Sequence, residues 1–374
     1  MRYTAGMNVV LATGIYPPAI GGPATYVRYL AEGLVARGVQ VTVVTYTQEQ
    51  SHELDIRKSD EGVPWSVIRV SKKGGPFLRW WRYAQALREH AAEADIVYCF
   101  SSVSCGIPLW IARLRHPRRV LRLGGDFLWE RFTDRGGVAG LRDWYGAGQW
   151  FQGVMNGILV TFDHIVFSTL FQEQLYEKVY QALPIHSVIE NALPSGVPVL
   201  HVKHDPFRLL FFGRFVAFKN IGSLLMALLD LPTVTLTLVG EGPLEGRLRA
   251  LVAEKGLSER VTFLPPQSGE AKRAFFLEHD LLVLPSLTEI SPNAALEARV
   301  AGLPILLTQE TGFSQQLLSG VQLRILRSPR DIVNAVREVE AEYSGLADRA
   351  AALPPERGWD HVCDEHLTLF RSLL

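Results

Sequence analysis

The chain has 374 residues, 48% of them hydrophobic and 20% charged, with a formal net charge of zero. That length accommodates two ordinary domains, and the composition excludes a mainly disordered chain and a dedicated nucleic-acid binder. Three cysteines (Cys99, Cys105 and Cys363), no apolar run near the roughly 20 residues of a membrane span and no signal-peptide pattern make a cytoplasmic, reducing setting the expectation.

Asn8 to Ala12 (NVVLA) reads as a strand, and a Pro- and Gly-rich loop follows from Thr13 to Gly22. Tyr26, Val27, Leu30, Leu34 and Val35 then fall at helical spacing up to Gly38, and Val39 to Thr45 is the next strand. This βαβ order predicts a parallel sheet with sites at its strand ends. It recurs with strands at Asp95 to Phe100, Arg119 to Leu123, Ile165 to Ser168 and His186 to Ile189, and helices near Gly106 to Arg115 and from about Phe171. The loop after the first strand lacks GxGxxG. Its Gly21-Gly22 pair would let a ligand approach the backbone and offer N–H groups to an anion, although a plain strand-to-helix turn reads as well. Asp126, after Gly124-Gly125 at a strand end, reads as a cleft-facing carboxylate or as a turn cap. The first half is modestly basic and the second modestly acidic. Basic and aromatic residues cluster at Lys72, Lys73 and Arg79 to Tyr83, and again from Arg113 to Arg122. A solvated face explains them, and an anionic membrane surface touched by Arg79 to Tyr83 is the sharper reading.

Asn191 to Pro206 carries three prolines and marks a linker. His201 and His204 have a spacing seen in metal sites, but with no second ligand pair apparent they read as solvated linker residues. Arg208 to Phe212 is a strand ending in Gly213-Arg214, and Lys219-Asn220 opens a helix. Two cations near one strand end suit an anion, or are simply exposed. Thr235 to Val239 leads into Gly240-Glu241-Gly242-Pro243, where Gly246 comes one residue too late for a dinucleotide fingerprint. Val261 to Leu264 ends in a loop with Gln267, and Asp280 to Leu284 precedes PSLTEISPNAALEARVAGLP. There Ser291 is the expected N-cap, Pro292 the first helical residue and Gly302 the stop. Glu289 lies just outside that helix and Glu297 in its second turn. From cap to Glu297 the rise is roughly 9 Å, near the span of a diphosphate with a sugar at each end, with the positive helix end between. The stretch reads equally as a capped amphipathic helix with a solvated glutamate. Pro304 to Thr308 is a further strand, a helix lies near Pro329 to Glu342, and Asp360 to Leu374 forms an amphipathic tail helix.

Tyr16-Pro17-Pro18 with Gly21-Gly22, Gly213-Arg214 to Lys219-Asn220, Gly240 to Pro243, and Glu289 to Glu297 with its following AGLP together resemble a retaining glycosyltransferase of the GT-B fold, family 4. The last is similar to that family's Glu-x7-Glu motif. Ile290, Ser291 and Pro292 replace its common Gly-Phe-Gly, a departure that bears on sugar preference more than on donor binding. The resemblance spans nearly the whole chain. It implies an α/β chain of two Rossmann-like domains facing across a cleft: an acceptor-binding domain at 1–190, a linker at 191–206, a nucleotide-sugar-binding domain at 207–355, and a tail at 356–374 crossing back to the first domain. The implied reaction moves a hexose-type sugar from a nucleotide diphosphate sugar to a hydroxyl acceptor. Cell-surface polysaccharide or lipid-linked glycan assembly at the inner membrane face would be its setting.

By the same resemblance, Arg214 and Lys219 hold the donor diphosphate and Glu297 the ribose. Glu289 and the N–H groups of Ile290, Ser291, Pro292's neighbourhood and Asn293 hold the transferred sugar. Gly21 and Gly22 lie against donor phosphate or acceptor, Gly213 and Gly240 shape the donor loops, and Gln267 neighbours the base. Asp126 stands where many relatives carry a histidine near the reacting carbon. No Asp-x-Asp pair lies in a donor loop, so neither metal nor cofactor is expected, and retention would be front-face. A GT-B epimerase or a non-catalytic sugar-nucleotide binder are the alternatives. A nicotinamide dehydrogenase wants a clean GxGxxG that neither half supplies.

Overall fold

The computed structural model describes residues 6–19, 21–47, 62–148 and 151–374. The chain forms two compact units. Unit 1 takes the residues up to Phe127, then Gly148–Ala192 and Arg357–Leu374. Unit 2 takes Leu128–Ala147 and Leu193–Glu356.

Unit 1 carries seven strands: β1 (Asn8–Ala12), β2 (Gln40–Thr47), β3 (Ser66–Ser71), β4 (Ile96–Cys99), β5 (Arg118–Leu123), β6 (His164–Phe167) and β7 (His186–Val188). They run in the order β3-β2-β1-β4-β5-β6-β7, every pair parallel. The central strands are continuous apolar runs because helices cover both faces of such a sheet. In the first helix (Gly22–Ala36), Tyr26, Val27, Leu30, Ala31 and Leu34 recur at the helical period and are buried. The tail helix, Trp359–Leu373, buries Val362, Cys363, His366, Leu367 and Phe370 in the same core.

Unit 2 carries β8 (Phe207–Phe212), β9 (Val234–Val239), β10 (Val261–Leu264), β11 (Leu281–Leu284), β12 (Ile305–Thr308) and β13 (Val321–Arg324). Their order is β10-β9-β8-β11-β12-β13, again all parallel. The chain therefore reverses direction across the sheet between β8 and β11, and in unit 1 between β1 and β4. Loops leaving the carboxyl ends of two such strands diverge and leave a crevice, where ligands of doubly wound sheets bind.

The structure departs from the sequence-based division in two stretches. Leu128–Ala147 packs with unit 2, although it lies within residues 1–190. The proline-rich junction is not a solvated spacer throughout. From Leu193 it belongs to unit 2, where the Val199 N–H donates to the Ala301 carbonyl at 3.0 Å. His201 is buried with Nδ1 3.2 Å from the His279 carbonyl oxygen, and His204 meets the buried Asp280 at 2.8 Å. Leu200 and Val202, beside them, remain exposed.

Candidate functional site

The loops after β8 and β11 bring together two expected site residues of opposite charge that lie 70 positions apart in the sequence. Lys219 Nζ stands 2.5 Å from Glu289 Oε1, and both side chains are largely buried. Ser286 Oγ donates to the same Oε1 at 2.5 Å. Among the described residues no donor reaches Glu289 Oε2. The Glu289 backbone is fixed as well. Its N–H donates to the Glu310 carbonyl at 2.9 Å, and its own carbonyl accepts from Gly312 N–H at 2.8 Å and Thr311 Oγ1 at 3.0 Å. These bonds make a one-residue parallel bridge between Glu289 and Thr311, extending the sheet past β11 and β12.

Lys219 does not open an α-helix. It ends a single 3₁₀ turn, Ala217–Lys219; Asn220 is left-handed at φ 54°, and the helix runs Ile221–Ala227. Asn220 tolerates that conformation better than most residues, and its Nδ2 donates to the Leu326 carbonyl at 2.9 Å. Arg214, two residues past the end of β8, pairs with Glu130 at 3.2 Å, with the arginine 60% and the glutamate 33% exposed.

Glycine is demanded where the β8 and β9 loops touch. A Cβ at Gly240 would collide with the Gly213 carbonyl oxygen, and one at Gly242 would sit 2.5 Å from the Phe215 carbonyl oxygen. Phe215 N–H donates to the Glu241 carbonyl at 2.8 Å, and Leu244 N–H to the Phe215 carbonyl at 3.1 Å. The loop that carries Arg214 is thereby laced to its neighbour, which needs backbone-to-backbone approach at both glycines.

The helix after Glu289 is Asn293–Ala301, one residue later than expected. Pro292 is its N-cap, with ψ 89° and a carbonyl accepting from Ala295 and Leu296 N–H, so Ser291 stands outside. Proline has no N–H to leave unpaired, which suits it to the cap as well as to the first turn. Gly302, left-handed at φ 80°, ends the helix as expected. Ile290 is buried. Glu297 is paired with Lys272 of the helix Gly269–Glu278, and the Lys272 ammonium lies 4.5 Å over the Phe212 ring. Gln267 is half-buried, its Nε2 3.2 Å from the Pro265 carbonyl oxygen of its own loop.

The remaining expected site residues lie in unit 1. Gly21 caps the helix Gly22–Ala36 at the unit's own direction reversal, where a Cβ would meet Ile15 Cδ1 at 2.7 Å. Asp126 is buried and accepts from the Tyr176 hydroxyl at 2.8 Å, and Gln172 Nε2 donates to the Gly125 carbonyl beside it at 3.1 Å. Of the Arg79 to Tyr83 cluster, Tyr83 is a core residue, donating to the Val44 carbonyl at 2.7 Å, and Arg79 lies 5.6 Å over the Tyr46 ring. The outward groups of its helix, Pro76–His90, are instead Phe77, 81% exposed, with Leu78 and Trp81, and Trp110 is exposed on the helix Ile107–Ala112.

Sequence reasoning missed Ser286, Lys272, Glu130, Thr288 and Glu310. Ser286 alone carried a local signal, a hydroxyl three residues before a glutamate at a strand end.

A family model described as "Glycosyl transferases group 1" matches residues 198–351, and one described as "Glycosyl transferase 4-like domain" matches residues 21–177. An uncharacterized glycosyltransferase of Methanocaldococcus jannaschii is 24% identical over 98% of this chain and 98% of its own length. A D-inositol 3-phosphate glycosyltransferase of Mycolicibacterium smegmatis is 30% identical over 43% of this chain, a stretch spanning 39% of that relative. Among solved structures, sucrose-phosphate synthase from Thermosynechococcus elongatus superposes with a TM-score of 0.78 at 21% identity, covering 98% of this chain and 99% of its own. Anabaena HepE, solved in complex with UDP and glucose, does so with a TM-score of 0.70 at 16% identity, over 99% and 100%.

Proposed function

This chain belongs to the group 1 glycosyltransferases of GT4 type, transferases of the two-domain GT-B fold, and on that footing we propose that it is a retaining enzyme that moves a hexose from a nucleotide diphosphate sugar to a hydroxyl acceptor. The observation that carries the reading is the meeting of Lys219 and Glu289 at the direction reversal of unit 2, with Arg214 on the same loop as Lys219 and a helix N-terminus directly after Glu289. A diphosphate is drawn to the two cations and the helix end. A sugar hydroxyl is matched by Glu289 Oε2, because Lys219 and Ser286 both engage Oε1. Glu297, oriented by Lys272, is assigned to the ribose, and Gln267 to the base. In unit 1, Asp126 is assigned to the acceptor side, held by Tyr176, and Gly21 and Gly22 to a phosphate or acceptor group there.

Transfer breaks the bond between the anomeric carbon and the β-phosphate oxygen, and the electron pair leaves with the phosphate. Arg214 and Lys219 meet the charge that develops there, an interaction stronger in the transition state than before it. The acceptor oxygen attacks the same face of the oxocarbenium-like carbon, and its proton passes to the departing phosphate. The leaving charge is assigned to these cations, with no metal or cofactor in the scheme. The two glycosyl transferase family models and the relatives named as glycosyltransferases favour a transferase over the epimerase or the bare binder.

The experiment is a calorimetric titration with UDP, ADP and GDP, followed by glucose conjugates of whichever binds, with and without chelator. UDP-glucose is the first donor to try. Binding that survives chelation supports the reading, and activity abolished by chelator and restored by manganese contradicts the metal-independent scheme.

Cell-surface polysaccharide or lipid-linked glycan assembly is the proposed setting. Phe77, Trp81 and Trp110 project from unit 1 near Lys72, Lys73 and Arg113, a pattern of aromatic and basic groups suited to an anionic lipid surface. No helix among the described residues is long and apolar enough to cross a membrane. Sedimentation with phosphatidylglycerol vesicles, with loss of binding in a Phe77→Ser, Trp81→Ser double variant, is the test. Equal sedimentation of wild type and variant would remove the lipid surface from the scheme.

A further inference from the structure

Glu310 is a buried carboxylate that the reaction above does not use. Its Oε1 accepts from Thr288 Oγ1 at 2.9 Å and from the Arg142 N–H at 2.9 Å, and an Arg327 nitrogen lies 3.5 Å from its Oε2. Thr288 Oγ1 in turn accepts from the Leu141 N–H at 2.8 Å. Thr288 thus donates and accepts through one hydroxyl, as only Ser, Thr or Tyr can among side chains with an O–H. The two N–H groups open the short helix Leu141–Gly146, in the stretch that joins unit 2 from the first half of the chain. Arg327 secures the same helix from outside, through Asp143 at 2.8 Å.

We infer that Glu310, acting through Thr288, is a positioning residue for glycosyl transfer that sets the direction of the Glu289 carboxylate. This rests on the assignment of Glu289 to the transferred sugar. Thr288 directly precedes Glu289, the residue of the parallel bridge, and successive side chains in such a segment turn to opposite sides. The observed partners agree: Thr288 turns to Glu310 and Leu141, Glu289 to Lys219 and Ser286. Holding one side chain therefore fixes the rotation of the other. The backbone carbonyl of Glu310 also accepts the Glu289 N–H, so one residue grips the segment at two successive positions. A carboxylate is costly to bury unless its oxygens are supplied with donors, and here the donors all come from pieces that must stay in register for Glu289 to face its site. Arg214, in contrast, is carried on the β8 loop, which makes none of these bonds.

The consequence is a split between the two ends of the donor. In Glu310→Ala, turnover with a sugar nucleotide falls about 10- to 100-fold, as loss of sub-ångström alignment does. Affinity for the bare nucleoside diphosphate, measured by calorimetry, stays within about twofold, because truncation at Glu310 leaves Arg214 and Lys219 in place. Glu310→Gln keeps an acceptor at Oε1 and is expected within about threefold of wild-type turnover. Thr288→Val, which keeps the shape and removes the hydroxyl, is expected to lose about 5- to 10-fold, and the double variant Thr288→Val, Glu310→Ala to be no worse than Glu310→Ala alone, since the two act in series. Should Glu310→Ala not fold, the Gln and Val variants carry the test. Losses that multiply in the double variant, a Gln variant as impaired as Ala, or a parallel fall in nucleoside diphosphate affinity overturn the positioning role. A wild type that binds no nucleoside diphosphate overturns the donor assignment itself, which separates the two failures.

Discussion

The two units bury polar groups in opposite ways. In unit 1 the buried cluster is neutral: His366 Nε2 lies 3.1 Å from the Tyr98 hydroxyl and 3.4 Å from that of Tyr26, while Nδ1 meets the Val362 carbonyl at 2.7 Å. Burial, helped by the nearby Arg122 guanidinium, pushes the His366 imidazole down to about 3, and burial pushes the Tyr98 hydroxyl up to about 12. The charges beside it are those of Arg357 and of Arg122, whose guanidinium stacks 4.1 Å over the Tyr26 ring and donates to the Ile189 carbonyl and Asn191. In unit 2 the half-buried groups are charged and come in pairs: Lys219 with Glu289, Lys272 with Glu297, and Arg214 with Glu130 further out. A neutral network specifies packing, here of the tail helix onto unit 1. Charges kept at a strand end at desolvation cost are retained for a ligand more plausibly than for stability, since apolar replacements are often as stable.

Breaking the innermost pair should have the largest effect. Lys219→Ala is expected to lower turnover on the order of 100-fold or more, as removal of a transition-state contact does. It also leaves the Glu289 carboxylate with Ser286 as its remaining partner among the described residues. Steady-state kinetics with a sugar nucleotide measure it. Near-normal turnover would show that the charge in unit 2 is structural after all and erase the contrast.

Next in size is the scaffold beneath those charges. Gly242→Ala would place a Cβ 2.5 Å from the Phe215 carbonyl oxygen and 2.7 Å from its nitrogen, both main-chain atoms that cannot rotate away. A loss of about 2 kcal/mol or more of stability is expected, together with weaker nucleoside diphosphate binding because the displaced loop carries Arg214. Urea melts and calorimetry read the two. A stable variant with unchanged affinity would mean that the lacing of the β8 and β9 loops does not position Arg214.

Much of this architecture is legible in the sequence, and what is not has physical reasons. Strands β1, β2 and β4 to β12 are found to within two residues, as short runs rich in apolar and β-branched residues bounded by turn signals. Both β3 and β13 escape, for polar and charged residues interrupt their short apolar runs (SVIRVS and VQLR), and VQLR in β13 is only half-buried throughout. The acids and cations that bear on the site are visible as residue types, but their partners are not. Glu130 reaches Arg214 across 84 positions of sequence, and Glu310 meets Arg142 across 168. No local period encodes such meetings; the fold's direction reversal and the transfer of Leu128–Ala147 to unit 2 create them. The one-residue error at Ser291 is of the size by which helix ends ordinarily vary, with Pro292 taking the cap in place of the first turn.

The neutral cluster of unit 1 predicts a pH dependence of stability that unit 2's pairs do not. His366 is held below the ordinary histidine value of about 6.5, so the unfolded chain binds a proton there that the folded chain refuses. Stability from this residue is therefore complete above about pH 6.5 and lost as pH falls toward the folded value, by about 1.4 kcal/mol for each pH unit. His164, His201 and His279 are also lowered by burial and act in the same direction, so the readout is the difference between wild type and His366→Gln. The slope of unfolding free energy between pH 6 and 4 should be shallower by about one proton in the variant. Equal slopes would mean that His366 is not kept neutral and that the tail helix is held by other means.

The smallest effect is expected at the outermost pair, and it is the sharpest test of what unit 2's charges are for. Arg214 and Glu130 are 60% and 33% exposed, and exposed pairs contribute about 0–1 kcal/mol. Glu130→Gln should therefore leave the melting temperature almost unchanged. If Arg214 is meant for a diphosphate, Glu130 competes with that ligand for the guanidinium, and its neutral replacement should tighten nucleoside diphosphate binding by about two- to fivefold, the same energy read in a different observable. A variant that melts lower while binding no tighter would place this pair with the structural contacts of unit 1, and would confine the ligand-directed charge in unit 2 to Lys219 and its partner.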